Sequence, residues 1–242
     1  VPPRRIGGGV VRLAVLSAFV VFSLGCAAPF ATLSSSLQLH LHVSKALVLL
    51  SVCLYCLGGF IGVLLAEFLL QRKSPRLEAI VTGLLCVLGT VLRTKCFDGF
   101  GWALAGEILV GAAAGLATHS QAKLCAHWSG KSSQRLFKTI ALISNSLGIC
   151  LALFLPFLFV ARVPASAAEF ELQMRLFLKS IAVIAGLLSF VVGVVCGSGV
   201  IFSEEGWLSE DAPESYTAQL SFYLKFCLSF AVCRRLLAIF CL

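Results

Sequence analysis

Charge is the scarce ingredient of this sequence. Only 12% of its 242 residues are charged, while 59% are hydrophobic; soluble domains carry about 25% charged residues. A water-soluble fold could not cover so much apolar surface with so few ionic groups, which excludes an ordinary globular domain. Lipid is the solvent that tolerates such a chain. A bilayer core about 30 Å thick needs roughly 20 apolar residues per helix, and runs of that length recur along the sequence. Catalytic signatures are lacking as well. No H-E-x-x-H or G-x-S-x-G occurs, and no acid pair falls within the apolar runs, so no enzyme and no cofactor is expected.

A disulfide framework is also excluded. Six of the eleven cysteines, Cys26, Cys53, Cys56, Cys86, Cys150 and Cys196, lie inside apolar runs, where a thiol behaves as a small apolar side chain. Cys53-Leu-Tyr-Cys56 has C-x-x-C spacing but no second pair nearby, and reads as two thiols on one helix face. His119, Cys125 and His127 in "THSQAKLCAHWSG" offer three ligand types. Zinc wants three or four converging ligands, and one helix does not gather positions i, i+6 and i+8, so no metal is expected. The net charge of +8 is spread over short connections and reads as membrane topology, not nucleic-acid binding.

What is present is a series of long apolar runs. The first, Leu13–Leu39, is broken by Pro29. Its start imitates a secretory signal, with a lipoprotein-like end at Cys26, but no soluble domain follows, so it reads as a span. Five more follow: Ala46–Leu70, Leu77–Leu92, about Gly99–Ala122, Thr139–Ala161 and Ser180–Ser203. The string "GAAAGLA" in the fourth lets backbones approach closely and places that helix inside the bundle. With the N-terminus inside, Arg4, Arg5, Arg12, Arg72, Lys73, Arg76, Lys123, Lys131, Arg135 and Lys138 face the cytosol. Lys45, Arg93, Lys95, Arg162, Arg175 and Lys179 fall outside. That balance favours a cytosolic N-terminus.

Residues 1–203 thus read as an all-α, polytopic six-helix bundle in the lipid bilayer. Residues 204–216 are acidic and turn-prone, a cytosolic linker. Residues 217–242 place Leu220, Leu224, Cys227 and Leu228 at helical spacing as an interfacial amphipathic helix. After Arg234-Arg235 comes "LLAIFCL", the start of a seventh span. On this reading the chain is a fragment, and its partner is the missing C-terminal half of a twelve-helix plan.

That layout resembles the N-terminal half of the major facilitator superfamily. Members carry a D-[RK]-x-G-x-[RK] turn between the second and third helices, whose charges latch helix ends. Gln71-Arg72-Lys73-Ser74-Pro75-Arg76 matches it at Arg72 and Arg76 and departs from it at Gln71 and Ser74. Glu67, one turn back, is a candidate for the missing carboxylate. The competing reading is a plain topogenic loop.

A narrower resemblance covers residues 60–160. Lys123 to Trp128, Asn145-Ser-Leu-Gly148 and Leu155-Pro156 are similar in spacing to the feline leukaemia virus subgroup C receptor family. That family has Gly-Gln where Gly106-Glu107 stands, and an arginine where Gln134 stands. The resemblance implies alternating-access transport of a small organic solute, with choline-like and haem-like cargoes as the family's candidates. A cation-stacking tryptophan expected in the first helix is absent from "LGCAAPFATLSSS", which argues against choline.

Polar groups and prolines within spans are the candidate substrate path. Glu107 either receives a cationic solute or proton in the fourth helix, or sits solvated near the outer interface. Asn145 either lines the path or bonds a neighbouring helix, an interaction worth ~0.6 kcal/mol. Pro29 and Pro156 either kink helices around a cavity or mark irregularities satisfied by neighbours. A non-transporting receptor or scaffold with a degenerate carrier fold is the alternative function.

Overall fold

The computed structural model describes residues 6–26, 29–71, 75–128, 134–160 and 166–197. Every element within them is a helix: α1 Ile6–Gly25, α2 Pro29–Thr32, α3 Ser34–Leu41, α4 Lys45–Gln71, α5 Pro75–Arg93, α6 Phe100–Trp128, α7 Gln134–Phe159 and α8 Ala167–Gly197. The all-α class is therefore as expected. Five segments are long and apolar enough to cross a membrane: Leu13–Thr32, Lys45–Glu67, Phe100–Gln121, Thr139–Phe159 and Ala167–Val195. Helix α5 is shorter, at 19 residues, with Glu78 in its first turn and Arg93 at its end. It packs on α6 and α8 and so completes the bundle. Chain contacts group residues 1–202 as one compact unit; the expected linker at 204–216 and amphipathic helix at 217–242 lie outside the described residues.

Helices α4 and α6 form the closest pair. A Cβ on Gly58 or Gly62 would run into the carbonyl oxygen of Ile108 or Ala112, and one on Gly111 or Gly115 into that of Tyr55 or Gly59. In lipid, where apolar side chains gain nothing by leaving the solvent, such backbone proximity holds helices together through dispersion. The small-residue string expected to be interior is interior: Ala112, Ala113, Ala114, Leu116 and Ala117 are all buried.

Two segments differ from the sequence reading. The first span is not one helix from Leu13 to Leu39, because α1 stops at Gly25 and the helix resumes at Pro29. Proline has no N–H for the Gly25 carbonyl four residues back, and its ring crowds that turn. Helix α3 ends at Leu41 and is capped by His42, whose φ of 52° is left-handed and whose N–H bonds the Leu37 carbonyl; the Val43 N–H bonds the same carbonyl at 3.4 Å.

The sixth long helix starts at Ala167, not Ser180. Ser166 caps it, its hydroxyl accepting the Glu169 N–H at 3.2 Å, in the S-x-x-E arrangement of a capping box. Phe170, Met174, Phe177, Leu178 and Ile181 bury one stripe, while Arg175 pairs with Glu171 one turn back at 2.7 Å. The charges that looked like a loop thus occupy another face of a helix. At 31 residues this helix is about 46 Å long, more than a 30 Å core requires of an upright span.

Candidate functional site

Polar side chains inside the bundle collect at two levels of α6, about 18 Å apart along the helix axis. The first lies near the α5–α6 turn. Arg93 ends α5, and its Nη2 donates to Glu107 Oε2 on α6 at 2.5 Å, both side chains at most 2% exposed. Its Nη1 donates to the Cys26 carbonyl at 2.8 Å, just where α1 has stopped. Gly106 makes the room: a Cβ there would strike the Gly89 carbonyl and the Arg93 Cγ. Nearby, the Tyr55 hydroxyl reaches the Ser23 carbonyl at 3.4 Å. The free carbonyls and dipole of a helix C-terminus favour a cation, so the Arg93 side chain serves as a cap supplied from another helix.

Magnitudes separate the two Arg93 contacts. Removing one partner of a buried ion pair costs about 3–5 kcal/mol, because the other charge is stranded. A charged hydrogen bond to a carbonyl contributes roughly 1.5–3 kcal/mol. The pair with Glu107 is the firmer bond. Glu107 is buried at 1% exposure and ion-paired with Arg93, unlike a carboxylate solvated at an interface. Arg93, counted above among outer loop charges, is likewise an interior residue at 0% exposure. Loop position suggested otherwise because the turn that follows, residues 94–99, is charged.

The second level lies at the other end of α6. His119 Nε2 stands 2.6 Å from Glu67 Oε1 of α4. The Ser120 hydroxyl donates to the Glu78 carboxylate of α5, and Gln121 Nε2 donates to Ser17 Oγ of α1 at 2.8 Å. Four helices are joined here through hydrogen bonds and charge. Of the expected latch residues, Glu67 takes part, Gln71 is the last residue of α4, Arg76 lies in the first turn of α5, and Arg72 lies outside the described residues. His119, first considered as a metal ligand, instead meets a carboxylate. The side chains of Cys125 and His127 lie outside the described ones, and among the described residues no three potential ligands gather.

The remaining candidates belong to neither level. Asn145 is half-buried on α7, and its Oδ1 is buried without a hydrogen-bond partner. Pro156 lies within α7, and the helix passes it, with the Val160 N–H bonded to the Pro156 carbonyl at 2.9 Å. Pro29 is buried at the first position of α2, the place a helix best accepts proline. The structure brings Glu107 next to the break that Pro29 creates. It does not bring Asn145 or Pro156 into hydrogen-bond contact with that pair.

Apolar helices of this length, stacked in this way, define an integral, multi-pass membrane protein. The family model described as sugar (and other) transporter matches residues 13–217, and the chain belongs to that family of the major facilitator superfamily. It is therefore a membrane transporter by family, a non-enzymatic kind of protein. No curated protein matches the chain.

Proposed function

We propose that the chain forms the N-terminal bundle of a carrier that moves a small organic solute by alternating access, its N-terminus cytosolic. One observation carries the reading: a first apolar run whose helix is broken between Gly25 and Pro29, with a buried Arg93–Glu107 pair against the break. Irregular backbone is tolerated in a membrane where it is buried in protein or lines a cavity, and transporters place their sites at such breaks. Glu107, Pro29, Asn145 and Pro156 form the proposed path. At the other end, Glu67 stands in for the acid missing at Gln71, holding α4 to α6 through His119.

The pairing narrows the cargo. A cation such as choline would have to displace Arg93 from Glu107 in a buried site, so the favoured solute carries no isolated positive charge. The narrower likeness to the feline leukaemia virus subgroup C receptor family, carried by Lys123, Trp128, Asn145, Gly148 and Pro156, is part of this proposal for architecture, not for choline as cargo.

The test is uptake of labelled neutral, zwitterionic and cationic solutes by the intact protein in proteoliposomes, for wild type and Glu107→Gln. Saturable uptake that Glu107→Gln lowers by about tenfold or more, equal to about 1.4 kcal/mol, is the expected result. Absence of saturable uptake for every solute would favour a non-transporting receptor or scaffold.

A further inference from the structure

Helix α5 is a poor span by itself. Its uncharged stretch runs from residue 79 to 92, 14 residues between Glu78 and Arg93, or about 21 Å of helix. A bilayer core of about 30 Å asks for roughly 20 residues. A run this short brings charge toward the hydrocarbon at one end or both. Loop charge gives the helix no direction either, since Arg72, Lys73 and Arg76 precede it and Arg93 and Lys95 follow. Neither terminal charge turns to the surface: Glu78 is 3% exposed and Arg93 0%.

Helix α6 answers at both ends. Arg93 meets Glu107, and the Glu78 carboxylate receives the Ser120 hydroxyl. The spacings match for an antiparallel pair. Fifteen positions separate Glu78 from Arg93 on α5, and 13 separate Glu107 from Ser120 on α6, about 22 and 20 Å. Near the ion pair the two backbones are close: a Cβ on Gly89 would strike the Gly106 carbonyl, and one on Gly106 the Gly89 carbonyl. Elsewhere on α5 an apolar stripe suits lipid, with Leu77, Ile80, Leu84, Leu88 and Val91 between 42% and 57% exposed. The need is mutual, because Glu107 lies inside the α6 span Phe100–Gln121.

We infer that α5 and α6 cross the membrane as one hairpin, and that the α6 face bearing Glu107 and Ser120 is what keeps α5 in the bilayer. Alone, α5 carries an uncompensated guanidinium at its end; joined to α6, that charge is half of a neutral pair. Letting Arg93 snorkel to water would strand Glu107 instead. This pairing holds whatever the solute.

The test reads topology, not transport. The full chain, with its native cysteines replaced by alanine, is synthesised into sealed microsomes, which requires no folded product. Lys95→Cys marks the α5–α6 turn, where the Lys95 side chain is 61% exposed. An impermeant maleimide is added before and after permeabilisation. The parent chain should label from one side only. Glu107→Leu, which strands Arg93, should raise labelling from the other side by about fivefold or more. Arg93→Leu with Glu107→Leu removes both charges and should restore one-sided labelling. Gly115→Leu disturbs the α4–α6 seam, leaves the α5 charges paired, and should also label from one side, which separates loss of the span from loss of packing. One-sided labelling of Glu107→Leu, failure of the double variant to restore it, or an equal effect of Gly115→Leu overturns the inference.

Discussion

Helices α6 and α8 have nearly the same length, 29 and 31 residues, and opposite surroundings. In α6, 61% of the spanning window is buried inside the protein; in α8 the figure is 22%. The large apolar side chains belong to the less buried one, where Val183, Leu187 and Phe190 are all more than 60% exposed. Helix α6 presents alanine and glycine to its neighbours and carries Glu107, His119 and Gln121 inward. In water this pattern would be inside out. In lipid, bulky apolar groups are at home on either side, and small or polar groups mark the protein interior.

The sharpest way to break that comparison is to unbalance the α6 interior. Arg93→Ala or Glu107→Ala should each destabilise the bundle by about 3–5 kcal/mol, read as loss of folded fraction in graded denaturant, with the double variant costing less than the sum. Glycine comes next. Gly115→Leu, whose side chain meets the Gly59 carbonyl, should cost about 3 kcal/mol, at the upper end of overpacking. Gly186→Leu in α8, where a Cβ meets nothing within 4 Å, should leave the melting temperature within a degree or two of wild type. Equal effects at both positions would dissolve the contrast.

Smaller effects are expected in the turn between α5 and α6. Burial pushes the Cys96 thiol up to about 12, the nearby Arg175 opposing only in part. A raised pKa means the thiolate predominates only above that pH and is a small minority at pH 8. Cys96 should therefore resist iodoacetamide at pH 8 in the folded chain and react once it is denatured, a difference mass spectrometry resolves. Weakest is the exposed Lys95–Asp98 pair, 3.7 Å apart; Lys95→Ala should change stability by less than about 1 kcal/mol.

Composition was enough to reveal a membrane bundle, because nothing but lipid accommodates so many apolar and so few charged residues. Helices α4 and α5 end within two residues of their apolar runs. Helix α6 continues six residues past Ala122 and α7 starts five before Thr139, through Lys123, Arg135 and Lys138 that read as loop. The same holds at α8. Arg175 and Lys179 read as loop charges, whereas they lie in a helix that Ser166 caps, its hydroxyl accepting the Glu169 N–H. Pro29 stood out as a possible kink; that its break would lie against Arg93 did not, since only the pairing of α5 with α6 carries that arginine inward. In the sequence Glu67 and His119 stand apart, one a substitute acid beside the turn and one a candidate ligand in "THSQAKLCAHWSG". Their meeting depends on the parallel register of α4 and α6, set by glycines whose contacts no local pattern spells out.

Those glycines also shape how the gene can change. A glycine codon is one base away from alanine, valine, an acid or a larger polar residue, and every one of these adds a Cβ. At Gly58, Gly62, Gly111 and Gly115 that atom would lie on a carbonyl oxygen of the facing helix, so no single-base missense step there is mild. The lipid-facing positions of α8 tolerate many apolar exchanges. Random missense variation should therefore weigh on this seam and on the close contacts at Gly89, Gly106 and Gly148, and pass with less effect over the exposed apolar positions of α8.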